Sequence, residues 1–82
     1  MSAVDVTSRV LDIVAAVLNV DISRLDAASS ADTIATWDSL RHLQLVLAIE
    51  EAFGFQFAVD DIESMGTVGA VVEAVKRRLP AA

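Results

Sequence analysis

Apolar residues recur at intervals of three and four in three separate stretches of the chain. In the first, Val6, Val10, Ile13, Val14 and Val17 form one stripe, with Asp5, Arg9, Asp12 and Ala16 opposite. This spacing predicts an amphipathic helix from about Val4 to Leu18, with Thr7 or Ser8 able to cap it and Asn19 as its stop. The second stretch predicts a helix from Ser39 to Phe53, with Asp38 as N-cap and Gly54 as the residue that ends it. Leu40, Leu43, Leu45, Val46, Leu47, Ile49 and Phe53 wrap well over half of its cylinder. A stripe of Arg41, Gln44, Ala48 and Glu51 is left, so this helix is expected to be largely buried with one narrow exposed ridge. The third stretch, Val68, Val71, Val72, Val75 and Leu79, predicts a helix from Val68 to Leu79 capped by Thr67. Lys76, Arg77 and Arg78 fall in its last turn, where cations suit the helix dipole, and Pro80 forbids continuation. Valine is a modest helix former, so packing rather than propensity must hold this helix.

The segments between the helices are less regular. Residues 19–37 form a long connection with scattered apolar anchors at Val20, Ile22, Leu25 and Ile34. Connections of this length in small domains are usually functional or hold short turns of their own. Phe55, Phe57 and Val59 alternate with Gln56 and Ala58, as in a strand. No second segment is fit to pair with them, so an extended loop with its aromatics plugging the core is expected. Asp60–Ser64 is expected to be a short helical turn. The pattern thus predicts an all-α fold: a small, right-handed four-helix bundle of three long helices plus a short third helix, in a single domain spanning 1–82.

Composition agrees with this reading. At 82 residues with 55% apolar content, 3 glycines and 1 proline, the chain suits one compact helical core. It has no cysteine, so thiol nucleophiles, thiolate metal sites and disulfides are excluded, and any thiol chemistry needs a thiol from outside the sequence. The start of the chain has no basic residue before Arg9 and no apolar signal core, and the run Ile13–Leu18 is too short to span a bilayer. A cytoplasmic monomer that does not enter membranes is expected. Short flanks without Pro/Ser-rich linkers favour a freestanding protein. The net charge is −6, with 11 acids against 3 bases in residues 1–63. An acidic body repels nucleic acid and anionic membranes and favours partners with basic patches, unless it serves only solubility.

Candidate chemistry centres on Ser39. His42, the only histidine, follows it by three residues, so a nucleophile and base pair on neighbouring helical faces has to be weighed. No strand precedes the serine to form a nucleophile elbow, and no third group is evident to orient the histidine. A surface or docking histidine is the simpler reading. Asp60-Asp61-Ile62-Glu63 lacks the spacing and glycine of a calcium loop. Ser39 itself stands in the first turn of a helix, where free N–H groups and the dipole favour an attached phosphate. The alternative is that Asp38 and Ser39 are only a capping pair.

From Val6 through Leu79 the chain resembles an acyl carrier protein. The resemblance rests on the signature Asp38-Ser39-Leu40 and on Leu43, Leu45-Val46 and Ile49-Glu50-Glu51-Ala52-Phe53-Gly54 in the family's second helix. Asp60-Asp61-Ile62-Glu63 and Thr67-Val68 match the starts of its third and fourth helices. The resemblance implies a carrier and not an enzyme. It implies that Ser39 receives 4′-phosphopantetheine from coenzyme A through a magnesium-dependent phosphopantetheinyl transferase, with Asp38 positioning the helix start. The arm's thiol then holds acyl groups as thioesters. Leu40, Arg41, Gln44, Val46 and Glu50 are the docking candidates. Leu45, Val46, Ile49 and Phe53 are candidates to line an acyl cleft, with core packing as their simpler use. The expected partners are the transferase, an acyl- or aminoacyl-activating ligase, and a ketosynthase or acyltransferase. Carriers of primary fatty-acid synthesis present acids after the serine, whereas here the ridge begins Arg41, His42 and Gln44. Together with Trp37, this looks like freestanding carriers of specialised metabolism, including polyketide and mixed polyketide–peptide pathways. The alternatives are a peptidyl or aryl carrier, which tends to be less acidic, and a helical adaptor with no cofactor. Trp37 is expected to anchor the loop beside the arm.

Overall fold

The computed structural model describes residues 3–79, and the expected stop at Pro80 lies outside them, as does the side chain of Asp5. Four helices follow one another: α1 (Ala3–Leu18), α2 (Ser39–Phe53), α3 (Val59–Ser64) and α4 (Val68–Arg78). A single 3-10 turn, Ile22–Arg24, lies in the connection between α1 and α2. Among the described residues there is no strand, only an isolated antiparallel bridge between Ser30 and Thr67. The architecture is the expected all-α one, with α3 beginning one residue earlier than its sequence suggests.

The ends of α1 and α2 and the start of α4 have identifiable causes. Asn19 adopts a left-handed φ of 55° after α1, and the Val20 N–H reaches back to the Ala15 carbonyl at 3.1 Å. Gly54 does the same after α2, with φ of 75° and its N–H on the Glu50 carbonyl. Both close the helix by donating to carbonyls that have no partner within it. At the start of α4 every early N–H is satisfied. Val68 donates to the Ser29 carbonyl at 2.9 Å and Gly69 to the Ala27 carbonyl at 3.0 Å, both in the long connection. Ala70 donates to Thr67 Oγ1 at 3.1 Å, as the predicted cap requires. A side chain at Gly69 would meet the Ala27 carbonyl at 3.0 Å, so this close approach needs glycine.

The core is built from one face of each long helix. Val6, Val10, Val14 and Leu18 of α1 meet Leu45, Val46 and Ile49 of α2 and Val68, Val71, Val72, Ala74 and Val75 of α4. α1 therefore lies between α2 and α4. Ile34, Trp37, Phe57 and Met65, from outside the long helices, complete the buried cluster. Phe57 plugs the core as expected, with Phe55 edge-on to it at 4.9 Å between ring centres. Of the anchors expected in the connection, Ile34 is buried and Ile22 is exposed.

α2 departs most from its sequence pattern. Leu40, Leu43 and Leu47 are 63%, 53% and 55% exposed. Arg41 and Ala48, expected on the open ridge, are half-buried instead. Helical geometry puts these leucines roughly opposite Leu45 and Ile49, and among the described residues no other element covers that side. Arg41 turns inward because its Nη1 donates to the Val17 carbonyl at 2.7 Å, filling an open acceptor at the end of α1.

α3 is held by a charge the sequence pattern does not announce. Asp61 is buried, and its carboxylate accepts from the Ala58 N–H at 3.1 Å and from Arg78 Nε at 2.7 Å. Arg77 adds a contact at 3.5 Å. The hydrogen bond from Arg78 holds the Asp61 carboxyl below its ordinary 3.8, outweighing the opposing effect of burial.

Ile49→Ala should lower unfolding free energy by about 2–5 kcal/mol, read as a shift in the urea midpoint. Because the Asp61 pKa is depressed on folding, its stabilisation is complete above 3.8 and is lost as pH falls through the lower folded value. Asp61→Asn should therefore unfold more easily at neutral pH. Its deficit against the parent should close below pH 3.8 in acid titrations followed by circular dichroism.

Candidate functional site

The site begins where α1 ends. Thr36 Oγ1 donates to the Leu18 carbonyl at 2.6 Å, next to the Arg41 contact with Val17. These two bonds tie both sides of the α2 start to the C-terminal turn of α1. Trp37 lies between them, 5% exposed, with its backbone N–H on the Ile34 carbonyl at 3.0 Å. It anchors the loop, as expected.

Asp38 is extended, and its Oδ1 accepts from the Arg41 N–H at 2.8 Å, while its carbonyl accepts from the His42 N–H at 2.9 Å. Asp38 is thus a complete N-cap. Ser39 comes next, exposed in the first helical position, and among the described residues its hydroxyl has no hydrogen-bond partner. A hydroxyl used only for capping would be engaged with backbone. This one is free, because Asp38 has taken the capping role.

Beside Ser39 is a cleft of about 510 Å³. Trp37, Asp38, Ser39 and His42 form one wall, and Ile62, Met65 and Gly66 the other. His42 reaches from its wall to the other. Trp37 Nε1 donates to His42 Nδ1 at 3.1 Å, and the rings lie nearly parallel, 6.1 Å apart. His42 Nε2 lies 3.3 Å from the Ile62 carbonyl. An indole N–H can only donate, so Nδ1 is the acceptor and Nε2 carries the hydrogen. Both ring nitrogens are engaged and neither is free to take a proton from Ser39, which removes the nucleophile–base pair. His42 is also no open surface histidine, since it is half-buried. Its pairing with Trp37 was missed from sequence, although a tryptophan just before the cap and a histidine five residues on are the signal for it.

The other expected residues are dispersed. Leu40 and Gln44 are exposed on the outer face of α2. Val46, expected both at a docking surface and in an acyl cleft, is 2% exposed and packs in the core, so it offers no surface to a partner. Arg41 is engaged with Val17, and Glu50 Oε2 accepts the Phe57 N–H at 2.8 Å, so both serve the fold. Leu45, Val46 and Ile49 pack within the core cluster and do not line the cleft beside Ser39. Phe53 lies at the far end of α2, roughly 20 Å from Ser39 by helical rise, beneath the Arg9 guanidinium at 4.6 Å. The side chains that do adjoin Ser39 come from the connection and α3, which α2 periodicity cannot reveal.

Comparison with known proteins agrees with this geometry. The family described as phosphopantetheine attachment site matches residues 8–75. Acyl carrier protein of Chlamydia caviae is 36% identical over 61 residues, covering 74% of this chain and 79% of that protein. The Chlamydia felis acyl carrier protein is likewise 36% identical over 61 residues, with 78% of its length covered.

The chain belongs to the acyl carrier protein family. The solution structure of holo acyl carrier protein from Geobacter metallireducens superposes with a TM-score of 0.78 at 26% identity, covering 88% of this chain and 83% of that one. The protein is therefore a carrier and not an enzyme, and its prosthetic group is covalently attached phosphopantetheine. The free hydroxyl at a capped helix start fits that group: it is accessible, and the positive end of the α2 dipole favours a phosphodiester. Among the described residues, no helix is long and apolar enough to cross a membrane.

Asp38→Ala should cost this carrier about 1 kcal/mol by removing the cap, and Asp38→Ser should restore most of it, as urea unfolding followed by circular dichroism will show.

Proposed function

We propose that Ser39 is the attachment point of the 4′-phosphopantetheine arm, and that the protein presents acyl thioesters to enzymes of polyketide or other specialised, fatty-acid-like biosynthesis. The exposed, unpartnered hydroxyl of Ser39, at a helix start capped by Asp38 and beside a cleft, carries this reading. Phosphopantetheinyl transfer joins the Ser39 oxygen to the phosphate of the arm and breaks the pyrophosphate bond of coenzyme A, releasing adenosine 3′,5′-bisphosphate and the serine proton. Asp38 holds the first turn in place while the helix dipole stabilises the added negative charge. When bound, the group supplies the thiol that this cysteine-free chain lacks, and acyl cargo rides on it as a thioester.

The cleft between the α2 start and α3 is the shelter for cargo, its walls supplied by Trp37, Ile62 and Met65. The docking face is the outer side of α2. It presents Leu40, Leu43 and Leu47 with Gln44 and Glu51 beside them, and where a ridge of acids would suit basic docking patches the chain has Arg41, His42 and Gln44. Partners that read this face meet leucine, so association rests on apolar contact more than on charge. This supports partners other than those of primary fatty-acid synthesis: a transferase, an acyl-activating ligase, and a ketosynthase or acyltransferase.

Intact-mass measurement after incubation with coenzyme A, magnesium and a broad-specificity transferase should show a gain of one phosphopantetheine. No gain, or a gain that persists in Ser39→Ala, sinks the assignment. Loading by a panel of acyl- and aminoacyl-activating ligases separates acyl from peptidyl or aryl cargo, with acyl loading expected. Leu43→Asp should slow the transferase step about tenfold, the weight of one central apolar contact, and leave the unfolding midpoint nearly unchanged. An unchanged rate at both Leu43→Asp and Leu47→Asp removes the leucine face from docking.

A further inference from the structure

α3 has six residues, too few to be a stable helix by itself, so its position depends on what ties it down. On one side Asp61 binds Arg78 of α4. On the side facing Ser39, the only side-chain hydrogen bond among the described residues that joins α3 to α2 runs from His42 to the Ile62 carbonyl, across the cleft.

The direction of that bond is imposed from the connecting loop. The Trp37 indole N–H occupies Nδ1, which confines the hydrogen of the neutral ring to Nε2, where it meets Ile62. Ile62 lies in the last turn of α3, and its carbonyl also receives the Met65 N–H at 3.3 Å. His42 thus adds a donor at a helix end that is short of them. Loop, α2 and α3 are linked in series through one imidazole, and each linked residue lines the cleft.

We infer that His42 is a positioning residue that latches α3 across the cleft beside Ser39, with Trp37 setting the tautomer the latch requires. With the latch closed, α3 covers cargo held in the cleft. With it open, α3 is held from the α4 side alone, and the cleft is free to admit or release cargo. At 3.3 Å the bond is long and its net weight small, as reversible opening requires. Only the statement about cargo rests on the carrier assignment of Ser39. The latch itself is a property of the unmodified chain.

Three variants separate the two bonds of the ring. His42→Gln keeps a donor in reach of Ile62, His42→Asn keeps an acceptor for Trp37, and His42→Leu keeps neither. On the unmodified protein, amide hydrogen exchange at Ile62 and Met65 should rise about fivefold in His42→Leu and His42→Asn. It should stay within about twofold of the parent in His42→Gln, with Val71 and Val75 of α4 unchanged in all three. Long-range proton–nitrogen spectra of the parent should show the hydrogen on Nε2. Equal exchange in every variant, equal acceleration in α1 and α4, or a hydrogen on Nδ1 overturns the latch. On protein loaded from hexanoyl-coenzyme A, hydroxylamine attacks the thioester carbonyl and releases hydroxamate and the free thiol. That cleavage should be about fivefold faster in His42→Leu and His42→Asn. Normal loading with unchanged cleavage overturns the covering of cargo. Absence of any mass gain in the parent counts against the attachment site instead, and exchange still decides the latch.

Discussion

The carbonyl oxygens left open at the C-terminal end of α1 organise the site. A helix cannot satisfy its last carbonyls from within, and buried or half-buried acceptors must find donors elsewhere. Here Ala15 receives the Val20 N–H, Val17 the Arg41 guanidinium and Leu18 the Thr36 hydroxyl. The last two donors flank Trp37, Asp38 and Ser39. The proposed attachment serine is therefore not displayed at the end of a slack loop. It is held at a junction where two helix ends complete one another.

The same constraint explains the long connection between α1 and α2. Its carbonyls at Ala27 and Ser29 receive the first N–H groups of α4, so the segment serves as a cap for a helix distant in sequence. The buried Ser29 accepts the Asp26 N–H at 3.0 Å and so shapes the turn that presents those carbonyls. A connection of this length keeps its shape because its polar groups are engaged from two sides, the Thr36 hydroxyl by α1 and the Ala27 and Ser29 carbonyls by α4.

α3 shows what happens where such ties are few. It borrows order from Asp61 on one side and from His42 on the other. In the proposed latch, this short helix with few ties is the element that covers and uncovers the cleft. The outer face of α2, with its row of leucines, meets a different requirement. Burial within the chain would make these residues core, whereas their exposure leaves apolar surface for another protein to cover.

Local features were legible from the sequence because their causes are local. Asp38 and Thr67 cap the residues three positions on, while Asn19 and Gly54 supply left-handed turns. The stripes of α1 and α4 lie on one side only, and a helical period is enough to find them. α2 is different, since its apolar residues nearly surround it. The period says which residues share a face, but only the position of α1 decides which face is core. Hence Val46 went inside, Leu40, Leu43 and Leu47 stayed out, and Arg41 turned toward Val17. The cleft was illegible for a related reason: its walls come from the connection, α2 and α3, and their meeting depends on long-range bonds such as His42 to Ile62. The sequence by itself determined the helices, their caps and a serine at the start of α2, because backbone hydrogen bonding and helical periodicity act over a few residues. Only the tertiary structure decided what faces that serine, because that depends on which distant groups complete the ends of each helix.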